Sequence, residues 1–462
     1  MDSAEIIISG SGSELQGVGR LEDGRAVFVP GALPGERVRA EITRSRDRFA
    51  EARLISVTWP SPERVTPDCP HYGVCGGCRA RHMTYECELR LKREKVLSAL
   101  TRIGGLGCPL VADTLPSPLT RGYRNKAEFA CDGARAGVFA EGSRSVCDTN
   151  ECLLQHDRAN ALLRFIKPKI GRLPVKYIVT RTNSAGELML TLSLSSAADV
   201  RALADETLRA LPFVVSVYTC RLSPRPAHAL DGECTLVRGK RTLIEKLCGL
   251  AFEIGPRAFF QVNTLQAERL YETALGFAEL SGGARVCDIY CGAGTISLCA
   301  ARAIQHATSS GAAHAVPAVT GIELVPEAIE NARQNARANG LNYMTEFICG
   351  DAAEEYPRLS AQRPFDTVIT DPPRAGMDRR VIEALIKTPP ERVVYVSCDP
   401  ATLARDVKLL CESRRFRFDR AVPVDMFPGT GHVETVCCLY HQKKDFISVP
   451  YEPKDASYIK QR

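Results

Sequence analysis

The sequence has no run of about 18 uninterrupted apolar residues, so no membrane span is expected. Met1 to Gly10 lacks the basic segment and long apolar stretch of a signal peptide. No internal repeat and no low-complexity tract is found. An excess of one charge is nearly missing too, with 60 Lys and Arg against 54 Asp and Glu. A net +6 permits a nucleic-acid partner without arguing strongly for one. There is no G-K-[ST] loop and no complete G-x-G-x-x-G turn, which argues against ATP and NAD as ligands.

What is present reads as a soluble globular protein. The 462 residues are 45% hydrophobic and 25% charged, enough for two or three domains with sizeable cores. The 19 cysteines are odd in number and scattered. With no sign of secretion, they favour a reducing cytoplasm, where clustered cysteines are more often metal or cluster ligands than disulfides.

The organisation is a multidomain α/β chain. Residues 1–58 carry short alternating runs, Ala26–Val29 and Arg37–Ile42 among them, between Gly, Pro and Asp turns; an OB-like barrel is expected. Its arginines (Arg37, Arg39, Arg44, Arg46, Arg48, Arg53) suit a solvated strand face as well as a nucleic-acid contact. A Pro-rich connector opens residues 59–255, where the spacing predicts a helix over 82–101 and strands at Tyr177–Thr180, Leu188–Leu194 and Val214–Tyr218, an α+β unit. Residues 256–445 alternate strand and helix, which predicts a doubly wound, Rossmann-like parallel sheet. Residues 446–462 form a tail with no assignable role.

Several strand ends in the last unit carry chemistry. Asp288-Ile289-Tyr290-Cys291-Gly292-Ala293-Gly294-Thr295 joins a strand to a helix, where glycines admit a ligand close to the backbone and helix N–H groups are free. The next strand ends in Glu323, placed to accept hydrogen bonds from ribose hydroxyls, and the one after in Gly350-Asp351, suited to an adenine edge. An adenosyl ligand without phosphates fits this pattern best. Asp371-Pro372-Pro373-Arg374 projects a carboxylate from a stiffened loop, although a structural turn would use the same residues. Cys398 follows the strand Arg392–Ser397 and precedes a helix over Thr402–Leu410; a thiol there is expected to have a lowered pKa and to act as nucleophile, against the alternative of a buried apolar cysteine. Asp399 opposes thiolate formation or else caps that helix. Glu434, before the last strand, could reach the same pocket as a general base.

Five motifs occur in order: Phe259-Phe260-Gln261-Val262-Asn263, the Asp288–Thr295 turn, D-P-P-R-A-G from Asp371, V-S-C-D-P-A-T-L-A-R-D from Val396, and D-M-F-P-G-T-G-H-V-E-T-V from Asp425. Together they resemble the TRAM-domain RNA uracil-5-methyltransferases over nearly the whole chain. The resemblance implies that Cys398 adds to carbon 6 of a uracil and that Glu434 removes the carbon-5 proton. It implies that Gln261, Tyr290, Thr295, Glu323, Asp351 and Asp371 hold S-adenosylmethionine, with Asp371 also at the base, and that Phe259 stacks near an extruded uridine. It makes residues 1–58 a TRAM RNA-binding barrel and shifts their arginines toward backbone contacts. Cys69, Cys75 and Cys78, spaced C-x5-C-x2-C, with distant Cys152, resemble the ligands of a 4Fe-4S cluster; spacing alone suits structural zinc equally, and Cys147 competes for the fourth position. The expected partner is 23S ribosomal RNA, with a transfer RNA as the alternative, and the expected state is a monomer. Two departures stand out. Asp399 occupies a position where Asn is more usual, and Ala303–Ala318 is longer than the crossover needs and is expected to form a surface loop.

Overall fold

Short strands with one apolar face must bury it, and the N-terminal segment does so by closing on itself. In the computed structural model, which describes residues 3–308 and 317–442, β1 (Ser3–Ser11), β2 (Gly17–Arg20), β3 (Ala26–Val29), β4 (Arg37–Ser45) and β5 (Phe49–Trp59) form a closed barrel ordered β1-β2-β3-β5-β4. Ile6, Ile8, Val27, Val29, Val38 and Ala50 fill it, and all six arginines singled out above lie exposed on its outside. The barrel docks through Leu15 and Leu33, which are buried against Ala80, Met83, Cys87 and Leu91.

Those last two residues belong to α1 (Tyr85–Arg102), which begins where Thr84 accepts a hydrogen bond from Cys87 N. After α1 and the short β6 (Leu110–Val111) comes a seven-stranded sheet. Its strands are β7 (Lys126–Asp132), β8 (Arg135–Phe139), β9 (Val146–Asp148), β10 (Val175–Thr182), β11 (Leu188–Leu194), β12 (Val214–Leu222) and β13 (Gly232–Gly239), ordered β13-β12-β11-β10-β7-β8-β9. Helices α2 (Asp157–Ile166) and α3 (Arg201–Ala210) pack on it through Leu162, Leu163 and Ala204. The hairpin of β14 (Leu243–Leu247) and β15 (Leu250–Ile254) leads into the last sheet.

That sheet alternates with helices: α4 (Thr264–Ala278), β16 (Val286–Ile289), α5 (Thr295–Ala307), β17 (Val319–Glu323), α6 (Pro326–Ala338), β18 (Thr345–Cys349), α7 (Ala352–Gln362), β19 (Thr367–Thr370), α8 (Arg379–Lys387), β20 (Arg392–Ser397), α9 (Pro400–Glu412), β21 (Phe416–Val424) and β22 (Glu434–His441). The strand order is β18-β17-β16-β19-β20-β22-β21-β6. Successive side chains enter opposite cores. Val286, Val394 and Val396 pack against α4–α6, whereas Cys287, Val393 and Tyr395 pack against α1 and α7–α9. The expected parallel order holds from β16 to β20; β22 then runs antiparallel to both β20 and β21, because the 425–433 connection is too short for a crossover. β6, from far upstream, completes the edge beside β21.

One expectation is corrected. The segment from Ala303 is not a loop at its start: α5 continues through Ala307, and Ile304 is buried in the core, so its apolar face outweighs any tendency to unwind. Residues 309–316 of that insertion, and the 446–462 tail, lie outside the described residues.

Candidate active site

The tips of β16, β17, β19 and β20 open into a cavity of about 1440 Å³. Phe259, Gln261, Tyr290, Thr295, Glu323, Asp371, Cys398 and Glu434 all line it, so eight of the sequence-derived candidates meet in one place. Local backbone explains how they arrive there. At the end of β16 the chain turns sharply, with Tyr290 at φ 68° and Gly292 at φ 54°, and Gly294 at φ 78° starts α5. A non-glycine residue in that left-handed region is a strained conformation. It is held because the amides of Tyr290 and Cys291 both donate to Ile322 O (2.9 and 3.0 Å). Gly294 leaves no alternative, since a Cβ there would lie 3.0 Å from both Ala332 and Phe347. Glu323 closes the turn from the neighbouring strand, accepting from Gly292 N at 3.2 Å and Val325 N at 2.9 Å. The Thr295 hydroxyl shares a 2.9 Å hydrogen bond with Tyr271. Phe259 is 75% exposed, an aromatic left open at the rim.

Asp351 does not join this group. Its Oδ1 accepts from Ala353 N at 2.9 Å to cap α7, and its Oδ2 pairs with Arg380 at 2.8 Å, so the carboxylate is committed outside the cavity lining.

The electrostatics differ from expectation at Cys398. A strand-tip thiol before a helix was expected to have a lowered pKa, but burial, then Glu434 and Asp371, push it up to about 11, with only Arg374 opposing. The helix is capped instead by Asp399, whose Oδ1 accepts from Ala401 N (2.8 Å) and Thr402 N (3.0 Å), so its charge is directed at α9. The carboxyls are displaced as well. Burial lifts Asp371 to about 7, and burial with the charge of Asp371 lifts Glu434 to about 8. Glu434 is only 6% exposed, and among the described residues neither carboxyl has a hydrogen bond or ion pair at contact distance. A thiol and two buried acids, opposed by Arg374, around an open cavity form a site suited to a further cation. A positive charge entering there lowers all three pKa values together.

Sequence reasoning passed over four lining residues. Asp288, buried and lifted to about 7 chiefly by burial, accepts from Ser297 at 2.5 Å, while its other oxygen is without a partner. Phe427 and His432 contact edge to face, 6.0 Å between centroids, and Arg124 lies 5.6 Å over the Phe427 ring. Asp288, Phe427 and His432 stood inside quoted motifs; Arg124 carried no signal, because only the tertiary fold brings it to the cavity.

A second cavity, of about 380 Å³, is lined by Cys69, Cys75, Cys78 and Cys152, with Cys147 and His71. The Cys147 sulfur lies 3.7 Å from His71 Nδ1. Burial raises the pKa of Cys75, Cys78 and Cys152, and Arg81 lies beside Cys78 with two buried nitrogens lacking hydrogen-bond partners. Among the described residues no three His, Cys, Asp or Glu gather closely enough to hold a single metal ion. The thiols ring a space rather than converge on a point.

The sequence profile of the tRNA (uracil-5-)-methyltransferase family matches residues 248–443, and that of the TRAM domain matches residues 3–55. An uncharacterized RNA methyltransferase of Halalkalibacterium halodurans is 35% identical over 459 residues, covering 95% of this chain and 97% of that protein. One from Clostridium tetani is 34% identical over 461 residues, again covering 95% and 97%. Among solved structures, the Pyrococcus abyssi tRNA (uracil-54, C5)-methyltransferase in complex with S-adenosyl-L-homocysteine superimposes with a TM-score of 0.72 at 28% identity, covering 94% of this chain and all of that one.

Proposed function

The chain belongs to the S-adenosylmethionine-dependent RNA (uracil-5-)-methyltransferases with an N-terminal TRAM domain, and from that premise we propose that it methylates carbon 5 of a uridine in 23S ribosomal RNA through a covalent adduct on Cys398. The observation that carries this reading is the shared cavity: Cys398, Glu434 and Asp371 face one space with the Tyr290–Thr295 turn and Glu323.

Each residue then has one task. S-adenosylmethionine supplies an electrophilic methyl when bound, and Glu323, Tyr290, Thr295 and Gln261 are the groups that would hold it. Phe259, open at the rim, offers a stacking face to a uridine turned out of its helix. Cys398, as the thiolate after its proton passes to solvent, bonds through Sγ to carbon 6, and the displaced electron pair makes carbon 5 nucleophilic. Carbon 5 would then take the methyl that bound S-adenosylmethionine supplies, its sulfonium sulfur keeping the bonding pair. Glu434 removes the carbon-5 proton, the carbon 5–carbon 6 double bond re-forms, and the thiolate leaves. Asp371, at the tip of β19 beside β20, fits a contact to the uracil edge. We propose 1–58 as the barrel, 59–255 as the central unit and 256–445 as the catalytic unit, with α1 and β6 of the central stretch lent to the catalytic sheet.

Cys69, Cys75, Cys78 and Cys152 are proposed as ligands of a 4Fe-4S cluster. Zinc needs four donors about 2.3 Å from one centre, which thiols spread around a cavity do not supply; a cluster is gripped at its corners and suits them better. The role proposed is structural. Anaerobically purified protein is expected to be brown and to contain iron and sulfide. Cys152→Ser should lose the iron and Cys147→Ser keep it. A colourless, zinc-containing protein rejects the cluster.

The target RNA is tested by transferring labelled methyl groups to 23S ribosomal and transfer RNA transcripts. Label in 23S RNA as 5-methyluridine is expected. The second reading, a transfer-RNA uridine, is favoured by two findings: the matching family profile is that of the tRNA (uracil-5-)-methyltransferases, and the solved tRNA (uracil-54, C5)-methyltransferase covers 94% of the chain. Label in transfer RNA alone establishes that reading and rejects the first.

A further inference from the structure

The loop between β21 and β22 is closed internally only around Thr430, whose N and Oγ1 donate to Phe427 O (3.2 and 2.7 Å) and whose Oγ1 accepts from His432 N (3.3 Å). It runs from Asp425 to Val433 and ends at Glu434, and it carries Phe427 and His432 into the cavity. A free hairpin loop of this kind hydrogen-bonds mostly to itself or to water. Here one backbone carbonyl after another is taken by a donor from elsewhere. Asn263 Nδ2 donates to Met426 O (3.1 Å), Lys92 Nζ to Phe427 O (3.2 Å), and Tyr123 Oη to Pro428 O (3.0 Å). The Arg79 and Ala80 amides both donate to Gly429 O, and Lys95 Nζ donates to Gly431 O (2.9 Å).

At the root of this loop sits an ion cluster that nothing in the methyl-transfer chemistry requires. Lys92 on α1 has no exposed surface; its Nζ lies 2.6 Å from both Glu88 and Asp425. Asp425 also accepts from Tyr85 Oη (2.8 Å), and Glu88 accepts from Gly429 N (2.8 Å). Burial alone would discharge Lys92, but the two carboxylates outweigh it and raise its pKa. A cluster of one cation and two acids in a dry site is a poor source of stability, whereas it fixes geometry tightly. Four of its contacts run from α1 to the loop: Lys92 to Asp425 and to Phe427 O, Tyr85 to Asp425, and Glu88 to Gly429 N.

We infer that α1, through Lys92 and Lys95, is a positioning element for Glu434: it sets the register of the Asp425–Val433 loop, and so the place of the proposed base against the target ring. This rests on the proposed role of Glu434, and the test separates the two.

Lys92→Met removes the buried cation, and Lys95→Met, at a partly exposed position, removes one loop contact with little threat to folding. Two readings are taken on each. Amide hydrogen exchange of the 425–436 segment should accelerate while the β16–β20 strands stay protected. On substrate RNA, resolution of the covalent adduct should slow roughly 10- to 100-fold, the cost of displacing a reacting group by about an ångström. Adduct formation and S-adenosylmethionine affinity should stay within about twofold, and a 5-deuterated uridine should show a larger isotope effect. Unchanged exchange in both variants overturns the inference, and so does a loosened loop with adduct resolution at the wild-type rate. Equal loss of formation and resolution also overturns it, because that marks a smaller active fraction. Failure of Glu434→Gln to trap any adduct rejects the base assignment instead, and the exchange result still decides whether α1 holds the loop.

Discussion

Cys398→Ala is expected to abolish methyl transfer, with a loss of roughly 10⁴-fold or more, while S-adenosylmethionine still binds. The size of the effect follows from the chemistry. Carbon 5 of a uracil is a weak nucleophile until something adds at carbon 6, and the other two thiols lining the cavity are poorly suited to add: Cys291, within the β16–α5 turn, is buried and burial holds its thiol protonated, and Cys234 lies across on β13. Binding survives because the groups proposed to hold the ligand come from β16, β17 and the turn before α4, not from β20. Calorimetry on the variant, beside a denaturing gel for protein–RNA adduct, separates the two: retained heat of binding with no adduct is the expected pair. Undiminished turnover removes Cys398 as nucleophile. A pH profile sharpens the test. With its pKa pushed up to about 11, the thiol is protonated at neutral pH. Adduct formation should therefore increase with pH, and the curve should lie well below 11 when a sulfonium cation shares the space, since Glu434 and Asp371 no longer impose an unbalanced negative field.

How much of this was legible beforehand depended on which force set each feature. The strand tips were readable because chemistry sits in them directly: Glu323, Asp371 and Cys398 each end an apolar run, and a one-residue shift would turn them into the sheet. The helix 82–101 was readable from its spacing, and appears as Tyr85–Arg102 with its Thr84 cap. Asp351 misled because a carboxylate at a strand end serves a ligand and a helix cap equally well; only the 2.8 Å contact with Arg380 distinguishes them. Cys398 was assigned the right neighbourhood and the wrong pKa direction, since the helix effect was visible in sequence while the converging charges of Glu434 and Asp371, more than 25 residues away in the chain, were not. Lys92 was invisible for the same reason. In sequence it is one more charge on a polar helix; its partner Asp425 lies 333 residues downstream, and only packing shows that the pair is buried.

Glu434→Gln is expected to stop the reaction one step later, leaving protein and RNA joined. The amide keeps the volume and one acceptor of the carboxyl but cannot take a proton, so the carbon-5 hydrogen stays, the double bond cannot re-form, and Cys398 has no route out. A band of retarded mobility on a denaturing gel, resistant to heat and absent in a Cys398→Ala/Glu434→Gln double variant, is the expected result, with turnover reduced by roughly 10²- to 10⁴-fold. Normal product formation without that band rejects the base. The wild-type pH dependence should carry the same signature. A base works deprotonated, so its contribution is present above its pKa and lost as pH falls through it. Burial and Asp371, against Arg374, place that point at about 8, because the folded site favours the neutral acid. Adduct resolution by the wild type should thus rise with pH toward a plateau, with an apparent midpoint at or below that value once a cation is bound, and the limb should vanish in Glu434→Gln. A wild-type resolution rate independent of pH from 5 to 9 would mean that the proton leaves to water or to another group, and that the deep burial of Glu434 serves packing rather than catalysis.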